Sequence, residues 1–145
     1  MGVIEHSVWI HAQPDEVWRV YIDPLRIPDW QTGSPVIDSV RGSADAPGST
    51  YTSRRGRLTA RTVVLAVDRP RRHATRTRAV LGLRFTLVST LEPVDGGTRL
   101  DIRVETDWPR GLGLPGRVVE RAMLSGNEAR KELARLKALV VGGSC

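Results

Sequence analysis

A succession of short β-type segments, separated by turn residues, occupies the middle of this 145-residue chain. Alternating apolar and polar residues predict the strands, and clusters of Gly, Pro and Asp predict the breaks between them. The six predicted strands are Val36–Arg41, Ser49–Arg54, Leu58–Asp68, His73–Ala79, Leu83–Glu92 and Thr98–Trp108. Because the connections are only a few residues long, neighbouring strands are expected to pair antiparallel.

The flanking segments add one strand and three helices. Glu5–His11 alternates as a strand, and Pro14 and Pro24 each fit the first position of a short helix. Over Pro115–Val140, apolar or small residues recur every three or four positions, which is typical of one face of a long helix. A seven-stranded antiparallel sheet wrapped around this helix buries both apolar faces. We therefore predict an α+β fold, with residues 1–145 forming one domain.

Composition narrows the class of protein. The apolar runs fall far short of the ~20 residues that span a bilayer, and the first residues lack a secretory signal pattern. We therefore expect a cytoplasmic protein without a transmembrane segment. Cys145 is the only cysteine, which excludes an intrachain disulfide. The three histidines lack metal-ligand spacing and no phosphate-binding loop is present, so we expect neither a metal nor a cofactor.

The net charge of +6 raises nucleic acid as a partner, and every basic residue except Lys131 and Lys137 is arginine. On the predicted outer face, however, arginines alternate with Glu92, Asp101 and Glu105. No aromatic residues interleave there to stack on bases. We therefore expect a solvated, arginine-rich outer face and no nucleic-acid binding.

Four stretches carry a family resemblance when they are taken in order: IHAQPDEVWRVYIDPLRIPDW, PGSTY, VDRPRRHATR and LEPVDGGTRLDI. Together they resemble the START-like superfamily, in its polyketide cyclase/dehydrase and lipid-transport branch. The resemblance spans nearly the whole chain and implies a helix-grip fold with a cavity between the sheet and the C-terminal helix. Members bind, carry or cyclise hydrophobic molecules, so a hydrophobic small-molecule ligand is implied but no single reaction.

The stretch RRHATRTRAV has too few apolar residues for a strand that faces an ordinary core. The resemblance aligns His73 and Thr75 with inward positions, so these residues and Thr77 are predicted to face a partly polar cavity. Small residues on the long helix, at Ala122 and Gly126 among others, would leave room for a ligand. Close helix–sheet contact is the alternative reason for small residues there.

Candidate site residues follow from these faces. His73 is the candidate acid–base group because its unperturbed pKa lies nearest neutrality; a structural, hydrogen-bonded histidine is the alternative. Tyr51 is a candidate to polarise a ketone, or else a core aromatic. The predicted ligand contacts are Trp30, Asp38, Ser53, Arg55, Thr75, Thr77, Phe85, Leu87, Ser89, Trp108, Met123 and Gly126. Asp38 is included as an inward carboxylate.

Two functions remain after these exclusions. One is an enzyme similar to polyketide cyclases or dehydrases, which folds its substrate and moves protons. The other is a non-catalytic carrier or sensor of a lipid, quinone or polyketide. Trp9, on the outward side of the first strand, indicates either a protein contact or packing against a neighbouring side chain. Homodimerisation is left open.

Overall fold

The computed structural model describes residues 2–31, 35–43, 45–79, 82–107 and 126–142. The strands are β1 Gly2–Ile10, β2 Val36–Arg41, β3 Thr50–Arg55, β4 Leu58–Asp68, β5 Arg72–Arg78, β6 Arg84–Val94 and β7 Gly97–Asp107. The helices are α1 Pro14–Tyr21, a 3-10 turn Pro24–Arg26, α2 Ile27–Trp30 and α3 Gly126–Gly142. The predicted α+β architecture is confirmed. The first part of the predicted long helix, residues 115–125, lies outside the described residues.

All seven strands form one antiparallel sheet in the order β1-β7-β6-β5-β4-β3-β2. Strands β2 to β7 follow chain order, as their short turns predict, and β1 joins the far edge beside β7. The long connection from β1 to β2 carries α1 and α2 across one face of the sheet, where they contact α3.

A β-bulge interrupts the pairing of β4 with β5 near Leu65. Val64 stands opposite Thr75, whereas Val67 stands opposite His73, so β4 advances three residues while β5 advances two. The additional residue reverses the alternation of β4. Val67 therefore points to the same side of the sheet as Val64.

The apolar stripe of α3 docks into the core as predicted. Leu133, Leu136 and Val140 are all buried, in a cluster that includes Ile10 and Leu100 from the sheet. Burying each such side chain contributes roughly 1.5–3 kcal/mol. No helix among the described residues is long and apolar enough to cross a membrane.

Candidate functional site

The strand register identifies the residues that share the inner face, because directly opposed residues of an antiparallel pair point to the same side. Three neighbouring rows of this face carry the candidate residues of β5 and β6. The hydroxyl row is Tyr51, Thr62, Thr77, Phe85 and Thr106; the middle row is Val64, Thr75, Leu87 and Val104; the histidine row is Val67, His73, Ser89 and Ile102. The structure thus places His73, Thr75 and Thr77 on the inner face, in the predicted direction.

The hydroxyl row contains a hydrogen-bonded chain across three strands. Thr62 Oγ1 and Thr77 Oγ1 lie 2.7 Å apart, and Tyr51 is hydrogen-bonded to Thr62. Burial raises the pKa of the Tyr51 phenol, and the Thr62 hydrogen bond opposes that rise. The phenol therefore stays protonated at neutral pH and is able to donate a hydrogen bond. Thr62 is buried, whereas Tyr51, Thr77 and Phe85 are half-buried.

Residues of α1 cover His73 and Ser89 of the histidine row. The rings of His73 and Trp18 meet edge to face with their centroids 5.5 Å apart. Ser89 Oγ is hydrogen-bonded to Tyr21 Oη at 2.6 Å, and the Tyr21 ring stacks on Trp30. Burial raises the pKa of Tyr21 to about 12, against the opposing effect of the Ser89 hydrogen bond. We call Trp18, Tyr21, His73 and Ser89, all of them buried, the sealed region.

The two candidate catalytic residues do not lie together. Tyr51 is on β3 and His73 is on β5, and both strand β4 and the middle row lie between their positions. With strands about 4.8 Å apart and a rise of about 3.3 Å per residue, their backbones are on the order of 15 Å apart. They therefore cannot act on a single atom of a small substrate.

The predicted inward direction of Asp38 is wrong. Asp38 stands opposite Thr52, on the side of the sheet away from Tyr51, and its carboxylate pairs with Arg54 Nε at 3.1 Å. Pairing with an exposed arginine holds this carboxylate on the outer face. In β2 it is Ile37, opposite Ser53, that faces inward.

The remaining predicted contacts divide into three groups. Ser53 shares the side of Tyr51, and at the end of the same strand Arg55 Nη2 donates to Gln31 Oε1 at 3.0 Å, which ties β3 to the end of α2. Trp30 is buried in the core, and its carbonyl accepts a hydrogen bond from Arg135 Nε of α3. Trp108, Met123 and the surroundings of Gly126 lie outside what the structure describes.

Three residues with polar groups, two on α1 and one on the inner face of the sheet, were not predicted as site residues. Tyr21 and Trp18 belong to the apolar stripe of α1, and Thr62 alternates with Val64 on β4. That alternation could have identified Thr62, but no local pattern identifies the hydrogen bond between Tyr21 and Ser89, 68 residues apart. The indole Nε1 atoms of Trp18 and Trp30 are buried and have no hydrogen-bond partner within the described residues.

The family is decided by comparison with known proteins. The model of the family described as "Polyketide cyclase / dehydrase and lipid transport" matches residues 1–141. The chain belongs to this family. Its fold is accordingly the helix-grip fold that the sequence resemblance implies. No curated protein sequence matches the chain.

Solved structures support the fold of this family member. Protein CV1439 from Chromobacterium violaceum is 21% identical with a TM-score of 0.68, covering 95% of this chain and 96% of that one. Ara h 8.0201 is 14% identical with a TM-score of 0.71, covering 97% and 98%. DynU16, from the dynemicin biosynthetic locus, is 21% identical with a TM-score of 0.69, covering 97% of this chain and 48% of that one. At these identities the likeness concerns the fold alone.

Proposed function

We propose that this protein binds a small hydrophobic molecule with polar substituents against the inner face of the sheet. The observation that carries the proposal is a group of half-buried inner-face residues, Tyr51, Thr77, Phe85 and Leu87, which we call the open region. Apolar walls with a few placed hydroxyls are the usual composition of a small-molecule site. The family description, which joins cyclases and dehydrases with lipid transport, is consistent with such a ligand.

Each residue of the open region has a distinct role in the proposal. Phe85 and Leu87 supply apolar contact. Tyr51, whose phenol is protonated at neutral pH, donates a hydrogen bond to a ligand carbonyl. Thr77 is linked to Tyr51 through Thr62, so the hydroxyl row holds the phenol in position. Trp108 and Met123, predicted to complete the cavity towards the C-terminal helix, remain predictions.

Two probes test the binding proposal. A hydroxyanthraquinone offers carbonyl oxygens on an apolar ring system, whereas N-phenyl-1-naphthylamine is apolar and has no carbonyl. Both are expected to bind, and Tyr51→Phe should weaken only the anthraquinone, by about tenfold, because one donated hydrogen bond is worth roughly 1–1.5 kcal/mol. Failure of both probes in fluorescence titration, with no apolar molecule co-purifying in native mass spectrometry, would refute the proposal.

Catalysis of cyclisation and dehydration is the second candidate function. Catalysis requires in addition that the substrate reach past Thr75 into the sealed region, where the buried His73 imidazole would remove a proton from a methylene between two ketones. The resulting carbanion would attack a second ketone, form a carbon–carbon bond and take up a proton. Loss of water would complete the reaction.

The enzyme and the carrier are separated by turnover. A linear poly-β-ketone would be incubated with the protein, and products with the mass of one lost water would be compared with the spontaneous products. For an enzyme, His73→Gln lowers product formation while probe binding survives. A non-catalytic carrier would bind the probes but give the same products as the substrate forms without protein.

A further inference from the structure

The arginines on the outer face of the sheet differ in whether they form ion pairs, depending on the strands that carry them. In the half built from β1, β6 and β7, Arg99 contacts Glu92 at 2.8 Å and Asp101 at 3.0 Å. Arg103 in the same half contacts Glu5 at 3.3 Å and Glu105 at 3.1 Å. We call this the paired half. Arg99 and Arg103 are accounted for as solvated ion pairs, in agreement with the alternation of charge in the sequence.

The half built from β4 and β5 contains a groove of about 340 Å³, lined by Arg61, Val63, Leu65, Arg76 and Arg78, which we call the arginine groove. In the described part of the chain, none of its three arginines forms an ion pair or a side-chain hydrogen bond. Arg61 stands directly opposite Arg78, which in turn stands opposite Arg84. Like charges in these positions destabilise a sheet, so the structure gives no folding reason for this arrangement.

The floor of the arginine groove is aliphatic. Val63 is half-buried, and Leu65, displaced by the bulge, is 40% exposed. Guanidinium groups around such a floor suit a ligand with both carboxylates and an apolar side chain, because the planar fork of arginine binds carboxylates bidentately. We propose that the arginine groove binds a short acidic segment of a partner protein, with one apolar side chain on Val63 and Leu65.

The neighbouring charges limit the size of this partner. Arg76 is followed across the sheet by Thr86 and then Glu105, so a carboxylate of the paired half begins about 10 Å from the groove. A nucleic-acid duplex or an anionic membrane would extend over the paired half, where its negative charges would meet carboxylates. The aliphatic floor also offers no aromatic ring for base stacking. A short segment confined to the groove contacts the arginines without reaching the carboxylates of the paired half.

The test uses a fluorescein-labelled peptide of four glutamates with a central leucine, short enough to stay within the groove, and a second peptide with serine in place of the leucine. Anisotropy titrations compare the parent protein with Arg78→Glu and with Arg19→Glu, a control that makes the same charge change at an exposed position of α1. We expect Arg78→Glu to weaken leucine-peptide binding at least tenfold and Arg19→Glu less than threefold. The serine peptide should bind the parent several-fold more weakly.

Stability distinguishes a binding role from a structural one. Arg78→Glu replaces a like-charge pair with an opposite-charge pair facing Arg61, so its melting temperature should equal or exceed that of the parent while binding is lost. The proposal is overturned by equal losses in both variants, or by equal binding of both peptides. It is also overturned if duplex DNA or phosphatidylserine vesicles bind more tightly than the leucine peptide in a manner that depends on Arg78.

Discussion

The sealed region and the open region share strands β5 and β6, yet they differ in what covers them. In the sealed region His73 and Ser89 lie against Trp18 and Tyr21 of α1, and the Ser89 hydroxyl is completely buried and hydrogen-bonded to Tyr21. In the open region Tyr51 and Thr77 carry similar hydroxyls but are only half-buried. In the sealed region the polar groups stabilise helix docking through hydrogen bonds, whereas in the open region we propose that the hydroxyls serve ligand binding.

The largest loss of stability is expected at Leu136, where α3 packs into the core beside the sealed region. Leu136 is completely buried, so Leu136→Asp places an unpaired carboxylate in the core and should cost ~4 kcal/mol or more of unfolding free energy. Ala134→Asp, at an exposed position of the same helix, should cost less than about 1 kcal/mol. Urea denaturation measures both. Equal stability of the two variants would show that α3 is not docked as described.

Alkaline pH should act chiefly on the sealed region. Because the pKa of Tyr21 is raised from 10 to about 12 by burial, the folded state favours the neutral phenol. Its stabilising contribution is complete below pH 10 and is lost as the pH rises towards 12, by roughly 2–3 kcal/mol. Urea titrations at pH 9 and pH 11.5 measure this loss. Tyr21→Phe should remove most of the difference, and an unchanged pH dependence in that variant would contradict the assignment.

The same substitution in the two regions should have opposite consequences. Tyr21→Phe leaves the buried Ser89 hydroxyl without its partner and should cost about 1–2 kcal/mol of stability, with little change in probe affinity. Tyr51→Phe leaves the Thr62–Thr77 hydrogen bond in place and should cost under about 1 kcal/mol, but weaken anthraquinone binding. If both variants lose stability alike and bind alike, the distinction between the regions fails.

The smallest effect on stability is expected at Thr75, at the border between the two regions. Thr75 lies in the middle row between the two regions and is buried. Thr75→Val exchanges a hydroxyl for a methyl at nearly constant volume, so stability should change by no more than about 0.5 kcal/mol. A loss of anthraquinone affinity near tenfold would make Thr75 part of the ligand site, whereas unchanged affinity would leave Leu87 as the contact that the middle row supplies.

Local alternation predicted most of the sheet, because an inward row of apolar residues requires period two along each strand. Val36–Arg41 and Leu58–Asp68 have their predicted bounds, and the polar inner face of β5 was predicted as well. Asp38 was misplaced since β2 is a short edge strand with a register shift after it, and Val36 there is exposed. In such a strand, apolar residues do not identify the inner side.

The site was less predictable than the sheet, because it depends on contacts between distant parts of the chain. The separation of Tyr51 from His73 follows from the register of β4, which lies between them. The Tyr21–Ser89 hydrogen bond depends on where α1 docks, and the arginine groove depends on which strands are neighbours. Alternation within one strand carries none of this information.

The bulge at Leu65 has a consequence for how relatives of this chain should be aligned. The bulge adds one residue to β4, so a relative with a regular strand there has one residue fewer between the positions of Val64 and Val67. An ungapped alignment would then assign Val67 to a column of outward residues and misassign every position up to the next turn. A single-residue gap opposite Leu65 returns Val67 to a column of inward residues. Inward positions of β4 can be read from an alignment of relatives only when this gap is placed correctly.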